Sequence, residues 1–252
     1  MMDKWVVFGL FALGLPAAQA AEVEAVLQWV QRVELSTPVS GVVQSVDVQP
    51  GQGVKQGQEL LALDSRVYRA KVAESAAAVE RLKAEAAEAK RNLDRVQELY
   101  NRTVISTSEL DQGKLRDARS RAMLAEGEAR LRLDESRLEE TVLRAPFDAV
   151  VLARNAEPGQ AVAAGLQPQT LLVVAKSGEM QARAKLDANQ LGKVRAGQAV
   201  TVSVSGKSYP GRVKAVGMEP VAAPGGMFYP LDVVFPVREP LRAGMAATLK
   251  LP

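Results

Sequence analysis

Apolar positions recur three and four residues apart through residues 65–101, a stretch that contains no Gly or Pro. The repeating positions are Val72, Ser75, Val79, Leu82, Ala86, Ala89, Leu93, Val96 and Tyr100. This spacing predicts a helix with a coiled-coil seam against a second helix. Small residues in the seam predict close approach of the two helices. Asp64 is predicted to cap the first helix, beside a hydrophobic staple between Leu63 and Tyr68.

A second helical pattern runs from about Ser106 to Leu143 and ends before Pro146. One seven-residue phase comprises Leu110, Leu124, Leu131 and Leu138, interrupted by Asp117. Another comprises Leu115, Ala122, Ala129, Ser136 and Leu143. The second set of apolar positions has two possible explanations. It is either an irregularity in the pattern of a simple two-helix hairpin, or a second apolar stripe that packs against a neighbouring copy of the chain. Charges four residues apart predict a solvated face, as in Asp117–Arg121, Glu126–Arg130 and Glu128–Arg132.

Only a few residues separate the two patterns, so the helices are predicted to run antiparallel. Each would have about 36 residues and be about 54 Å long at 1.5 Å per residue. At the turn, Ser106 and Glu109 have the spacing of a capping box, preceded by Ile105 as the start of a hydrophobic staple. Taken one at a time, each of three residues here has a purely structural explanation. Ser106 caps a helix, Arg95 is a solvated surface charge and Leu99 is a packing residue.

The segments on either side of the two helices repeat each other. Residues 38–64 read PVSGVVQSVDVQPGQGVKQGQELLALD, and residues 146–175 begin PFDAVV; at a shift of 108 positions, Pro50-Gly51-Gln52 falls on Pro158-Gly159-Gln160. Each half predicts short strands separated by Gly turns. Half a motif of about 27 residues cannot bury a core alone. The two halves are therefore predicted to pair into one small sandwich, with the helical hairpin inserted between them.

The last part of the chain, from about Lys176, alternates apolar and polar residues as strands do. Inward positions are predicted at Val200, Val202, Val204, Leu231, Val233, Phe235, Met245, Ala247, Leu249 and Leu251. Gly-containing turns separate these runs. The pattern predicts an all-strand, antiparallel β-barrel, to which Glu22 to Leu35 adds a strand.

Composition narrows the possible chemistry. The 252 residues include no His and no Cys, which excludes Ser-His-Asp and Cys-His catalysis, zinc sites built on these residues, and disulfides. Only 4% of the residues are aromatic, so one large core is not expected. The net charge is +3, and no polybasic run indicates a nucleic-acid partner.

The first twenty residues predict an export signal. An apolar core from Trp5 to Leu15 precedes Pro16, and Ala18-Gln19-Ala20 has the small-x-small pattern of a cleavage site. Eleven apolar residues are too few to span a bilayer of about 30 Å. We therefore expect cleavage after Ala20, and no lipid anchor, because no Cys follows the apolar core.

The two half-motifs resemble the biotinyl/lipoyl fold, and their order around a helical hairpin resembles periplasmic adaptor proteins, also called membrane fusion proteins. In that family the hairpin tip carries Arg-x3-Leu-x6-Ser; here Arg95, Leu99 and Ser106 have this spacing, followed by Glu109-Leu110-Asp111. The stretch LRAPFDAVV also resembles the second half-motif of the family, with Ala149 in place of the usual glycine.

The resemblance implies a mainly β, elongated multidomain chain with a long antiparallel α-helical coiled-coil hairpin. The predicted parts are a signal peptide (1–20), an N-terminal strand joining the barrel (21–37), a first lipoyl half-motif (38–64), the hairpin (65–143, tip 102–107), a second half-motif (144–175) and the β-barrel (176–252). It also implies a short form without the family's membrane-proximal domain. Docking residues on a TolC-type channel would be Arg95, Leu99, Ser106, Ile105 and Asp111.

The function that the resemblance implies is that of a non-enzymatic adaptor without cofactors, located in the periplasm and associated with the inner membrane through the pump. It would join an inner-membrane transporter of the RND type to a TolC-type outer-membrane channel as a homo-oligomer, expected to be a hexamer of HlyD-like subunits. An adaptor of an ABC-type exporter or type I secretion system is the first alternative. An exported lipoyl-like carrier is the second, although Lys55, in a turn of the first half, does not stand where carriers present their modified lysine.

Overall fold

The computed structural model describes residues 21–165, 167–223 and 226–251. They form two compact units, one from residues 31–177 and one from the described parts of residues 1–30 and 178–252. The predicted signal peptide lies outside the described residues. Within the described ranges, no helix is both long and apolar enough to cross a membrane.

Fifteen strands and three helices are described. In chain order they are β1 (Ala21–Trp29), β2 (Arg32–Leu35), β3 (Gly41–Val46), β4 (Gly53–Val54), β5 (Glu59–Leu63), α1 (Arg66–Asn101), α2 (Thr107–Glu139), β6 (Val142–Arg144), β7 (Ala149–Arg154), β8 (Ala161–Val162), β9 (Leu172–Lys176), β10 (Glu179–Leu186), α3 (Ala188–Leu191), β11 (Ala199–Val204), β12 (Lys207–Val216), β13 (Val221–Ala223), β14 (Gly226–Pro236) and β15 (Ala246–Leu251).

The unit of residues 31–177 contains a sandwich of two four-stranded sheets, in the orders β2-β9-β7-β4 and β6-β5-β3-β8. Each sheet mixes the two half-motifs, because β4 of the first pairs with β7 of the second, and β8 of the second pairs with β3 of the first. Their inward residues form one core, which includes Val43, Leu61, Leu63, Val151, Leu172 and Val174. The predicted pairing of the halves into one sandwich is confirmed.

The repeat extends to single hydrogen bonds. Strands β3 and β7 start 108 residues apart, as do β4 and β8. The Gly51 N–H donates to the Val151 carbonyl at 2.8 Å, and the Gly159 N–H donates to the Val43 carbonyl at 2.8 Å. Both glycines lie in the left-handed region, with φ of +88° and +89°. The two halves are thus related by a local two-fold pseudosymmetry.

The insertion is an antiparallel pair of helices, α1 with 36 residues and α2 with 33. All nine seam positions predicted on α1 are buried or half-buried. On α2 the inward positions again alternate in steps of three and four: Leu110, Gly113, Asp117, Ser120, Leu124, Gly127, Leu131, Asp134 and Leu138. The phase interrupted by Asp117 therefore faces α1, while Leu115, Ala122, Ala129 and Ser136 are exposed.

Three sequence expectations about this unit are corrected. Helix α2 ends at Glu139, not near residue 143, because β6 pairs with the free edge of β5. The N-cap of α1 is Ser65, whose side chain makes no capping bond; the Asp64 carboxylate instead accepts from the Arg66 N–H at 3.0 Å. Of the segment 21–37, only β1 joins the barrel, since β2 pairs with β9 in the sandwich.

The pairs expected to form a solvated face on α2 are corrected as well. Asp117 does pair with Arg121, but the carboxylate is buried at the helix interface. Arg130 contacts Asp134 on the next turn rather than Glu126. In the segment expected to be all strand, α3 forms a single helical turn, because Asp187 and Gln190 make a capping box.

The other unit is a closed six-stranded barrel in the order β10-β1-β15-β11-β12-β14, completed by antiparallel pairing of β10 with β14. The inward residues predicted on β11, β14 and β15 are buried in its core, with Met245 partly buried against it. Ser205 and Gly206, at φ of +48° and +81°, form the two-residue turn between β11 and β12. Strand β13 pairs with the first residues of β14 beyond the barrel wall.

Candidate functional site

The turn between α1 and α2 is built by two standard end motifs. At the end of α1, the Val104 N–H donates to the Leu99 carbonyl at 3.0 Å and the Thr103 N–H to the Tyr100 carbonyl at 2.9 Å. This is the Schellman pattern, which requires a left-handed residue. Thr103 takes that position, with φ of +57°. A β-branched residue is strained there, so the turn holds an unfavourable backbone geometry next to the exposed Val104.

The start of α2 is fixed by the predicted capping box. The Glu109 N–H donates to Ser106 Oγ at 3.3 Å, and Glu109 Oε2 accepts from the Ser106 N–H at 3.0 Å. The Ser106 hydroxyl also donates to Oε2 at 3.1 Å. Ile105 is half-buried and Leu110 is buried, as a hydrophobic staple requires. The Ser106 side chain is therefore held in one position, although Ser106 is exposed to solvent at the end of the hairpin.

The remaining predicted docking residues lie on the sides of the helices. Arg95 is exposed, and its guanidinium group has no hydrogen bond or ion pair with any described residue. Leu99 follows one turn later on the same face of α1 and is half-buried. Asp111 is exposed, 3.8 Å from the Lys114 ammonium. No side-chain hydrogen bond or ion pair among the described residues joins the five predicted residues, which therefore offer separate contacts rather than one preformed cluster.

A groove with four arginines crosses the two helices toward this end. Arg91 and Arg95 of α1 and Arg116 and Arg119 of α2 line it, together with Glu85, Glu88, Ala89, Asn92 and Ser120, and its volume is about 540 Å³. None of the four guanidinium groups is ion-paired within the described ranges, whereas neighbouring pairs such as Arg102–Glu98 do form. Sequence reasoning singled out Arg95 alone. The available signal was the lack of any carboxylate three or four residues from Arg116 and Arg119.

The helix interface contains two buried carboxylates. Asp134 and Asp117 are each 1% exposed, and one oxygen of each has no hydrogen-bond partner among the described atoms. The Ser75 hydroxyl, and more weakly the Arg130 guanidinium, hold the pKa of Asp134 below its usual value. Asp134 therefore remains charged near neutral pH, inside a seam that is otherwise apolar or small.

The sandwich anchors both ends of the hairpin. The Leu63 N–H donates to the Thr141 carbonyl at 2.8 Å, which ties the start of α1 to the end of α2. The Tyr68 hydroxyl donates to the Ser40 carbonyl at 2.7 Å. Arg66 holds the pKa of Asp64 at about 2. These bonds fix the base from which the helices extend.

Lys55, the lysine weighed for a carrier role, forms an ion pair of 2.9 Å with Asp148 of the other half-motif. Asp148 also accepts from the Gln56 N–H at 2.9 Å, and these two bonds lower the pKa of its carboxyl group. Lys55 thus fastens the two halves together. In the described part of the chain, no group of three acidic, His or Cys residues is placed to hold a metal ion.

Known proteins share this architecture. The family described as "CzcB-like, barrel-sandwich hybrid domain" matches residues 31–176, more than half of the chain. The macrolide export protein MacA of Yersinia pestis is 26% identical over 220 residues, covering 81% of this chain and 59% of MacA. The multidrug resistance protein MdtA of Photorhabdus laumondii is 25% identical over 191 residues, covering 73% of this chain and 43% of MdtA. The chain thus spans about half the length of these relatives.

The solved structure of the membrane fusion protein Spr0693 from Streptococcus pneumoniae R6 has the same fold. It superposes with a TM-score of 0.72 at 16% identity, covering 92% of this chain and 99% of that one. A split sandwich with an inserted helical hairpin and a β-barrel is the architecture of membrane fusion proteins, also called periplasmic adaptors. This chain belongs to that class through the CzcB-like barrel-sandwich hybrid family.

Proposed function

We propose that the chain is a periplasmic adaptor subunit that links an RND-type inner-membrane transporter to a TolC-type outer-membrane channel. The observation that carries this proposal is the end of the hairpin. There, an unpaired Arg95, the half-buried Leu99 and a rigid, exposed Ser106 have the spacing of the adaptor tip motif. The adaptor acts by sealing and coupling a conduit and has no chemistry of its own.

Each tip residue has a physical role in this docking. Arg95 offers several N–H donors to carboxylates or backbone carbonyls of the channel and breaks no ion pair in doing so. Leu99 supplies apolar contact one turn away. Ser106 supplies a hydroxyl whose position is fixed by Glu109. Ile105 and Asp111 flank these contacts.

The exposed apolar stripe on α2 supports side-by-side packing of several copies, for which we propose a hexamer. Leu115 is 62% exposed, and Ala122 and Ala129, seven and fourteen residues later on the same face of α2, are exposed as well. Apolar side chains grouped on one exposed helix face that α1 does not cover mark an interaction surface. We therefore expect Leu115→Glu to weaken self-association in analytical ultracentrifugation without lowering the melting temperature.

A crosslinking experiment tests the docking. The chain has no Cys, so a single one can be placed at Val104, which is 65% exposed at the turn, or at the exposed Ala84 midway along α1 as the control. In cells that carry a TolC-type channel, we expect Val104→Cys to be joined to the channel by a bifunctional reagent and Ala84→Cys not to be.

Two outcomes contradict the proposal. If neither cysteine captures the channel while the protein is exported and folded, the hairpin end does not dock on it. Capture at Ala84 alone would mean that the channel contacts the side of the hairpin. Arg95→Glu in the Val104→Cys chain should reduce the crosslink about tenfold or more, because a repelling charge replaces a charge-assisted bond.

A further inference from the structure

The barrel unit has an arm that the adaptor function does not use. Beyond β12, residues 217–223 and 226–230 form an extension in which β13 pairs with the first part of β14. Between Pro220 and Pro230 the sequence has no charged residue. The Gly217 N–H donates to the Pro230 carbonyl at 2.7 Å, and a Cβ on Gly217 would lie 2.5 Å from the Pro230 ring. The base of the arm is therefore tightly closed at this glycine.

A cleft of about 740 Å³ lies between the arm and the outer barrel wall. The arm contributes Val221, Ala222, Ala223 and Phe228 to its lining, and the wall contributes Val26 and Ala215. Strand β13 is not a neighbour of β1 in the sheet, so a single cleft lined by both requires the arm to bend over the wall. The result is a mostly apolar cleft of the size that small organic ligands occupy.

The floor of the cleft carries a neutral charge pair. Val26, Arg183 and Asp232 are cross-strand neighbours on the outward face of β1, β10 and β14. Arg183 donates to both carboxylate oxygens of Asp232, at 2.7 and 2.9 Å. Such a bidentate pair satisfies both groups and fixes the guanidinium plane. The floor therefore offers a flat polar surface without net charge.

The edge of the cleft carries a free cation. Lys185, two residues after Arg183 on the same face of β10, lines the cleft, and its ammonium group forms no ion pair or hydrogen bond within the described residues. Two methionines near the ends of the arm are also exposed, Met218 at 94% and Met227 at 58%. Exposed methionines are typical of surfaces that adapt to varied apolar ligands.

We propose that this cleft binds an amphipathic organic anion, with its apolar body under the arm and its acidic group on Lys185. Volume, apolar lining and the unpaired ammonium on one edge together favour this class of ligand over a neutral or cationic one. The site lies within the barrel unit, so it does not depend on channel docking.

The test is a fluorescence titration of the purified protein with 8-anilinonaphthalene-1-sulfonate, an aromatic anion, followed by displacement with dodecanoate, an aliphatic one. We expect saturable binding at one site per chain. Displacement would show that lipid-like anions share the site, and its absence would restrict the class to aromatic anions. Ala222→Trp should fill the cleft and weaken binding at least tenfold, whereas Ala199→Trp, at an exposed position on β11 outside the cleft, should leave it unchanged.

A charge reversal gives an independent measurement. Lys185→Glu should weaken binding of the anilinonaphthalene sulfonate about tenfold and leave the neutral N-phenyl-1-naphthylamine within twofold. Lys193→Glu makes the same change in net charge away from the cleft and should have no effect. The proposal is overturned if binding is not saturable, or if Ala222→Trp and Lys185→Glu both bind the probe as the unaltered protein does.

Discussion

The Ser75 hydroxyl on α1 donates a 2.5 Å hydrogen bond to Oδ2 of Asp134 on α2, and both side chains are buried between the helices. Arg130 lies 3.2 Å from the same carboxylate and Arg137 3.7 Å from its other oxygen, both reaching in from the solvent side. Any shift of one helix along the other would leave the carboxylate without its hydroxyl. The pair therefore specifies the register of a seam whose small residues alone would specify it weakly.

Acid should weaken the hairpin through Asp134. Its pKa is lower in the folded than in the unfolded chain, so its contribution to stability is present above the unfolded value of about 4 and is lost as the pH falls through the folded value. Ser75→Ala removes the main cause of the lowered pKa. We expect this variant to melt at a lower temperature at pH 7 and to lose less stability than the unaltered protein between pH 5 and pH 3. Circular dichroism melts across this range measure both, and an unchanged pH slope would contradict the role given to Ser75.

The two interface glycines of α2 should respond differently to alanine. A Cβ on Gly113 would lie 3.5 Å from Leu93 and Val96, in ordinary contact, whereas a Cβ on Gly127 would lie 2.6 Å from Leu82. Gly inside a helix costs about 1 kcal/mol relative to Ala. Gly113→Ala should therefore raise the free energy of unfolding by about 0.5–1 kcal/mol. Gly127→Ala should raise the free energy of unfolding by less, because Leu82 must move to make room for the new Cβ. Equal increases for the two variants in urea titrations would contradict this packing.

The turn at the hairpin end should be stabilised by glycine. Thr103 is left-handed, a conformation that costs a non-glycine residue about 1–2 kcal/mol. We expect Thr103→Gly to raise the free energy of unfolding by about 1 kcal/mol, measured in chemical denaturation. Thr103→Ala keeps a Cβ and serves as the control, with little gain. A Thr103→Gly protein no more stable than Thr103→Ala would show that the turn is not strained.

The pseudosymmetry of the sandwich predicts equal effects at paired positions. Gly51 and Gly159 have nearly the same positive φ, and a Cβ on either would meet no atom within 4 Å. Alanine at either position should cost about 1–2 kcal/mol through backbone conformation alone. Gly53→Ala is the matched control, because Gly53 also has open space around it but no positive φ. This substitution should lower the free energy of unfolding by less. Unequal losses at Gly51 and Gly159 would mean that the halves are not energetically equivalent.

The sequence predicted α1 well because its interface is made of apolar residues, which periodicity detects. It did not predict which face of α2 is buried. The inward positions there include Gly113, Asp117, Gly127 and Asp134, and these residues carry no hydrophobic signal. Their burial depends on partners across the interface, such as Ser75, which no local pattern specifies.

Other features depended on contacts distant in sequence. In the sequence, the helical pattern of α2 continues without interruption into the residues of β6. These residues form a strand because they pair with the edge of β5, some eighty residues earlier. The four-arginine groove likewise arises only when the arginine faces of α1 and α2 meet. The half-motif repeat was detectable because the two segments have the same glycines at the same spacing, and can therefore be compared directly.

The exchange of β4 and β8 between the half-motifs has a consequence for how the chain folds. During synthesis the first half-motif emerges without the strands that complete its sheets, and both helices must be made before β7 and β8 appear. Joining the halves through a loose loop of this length would carry a large closure entropy. Pairing of α1 with α2 brings residues 64 and 141 together through contacts between neighbouring helices, so formation of the hairpin offsets much of this closure entropy before the two halves pair.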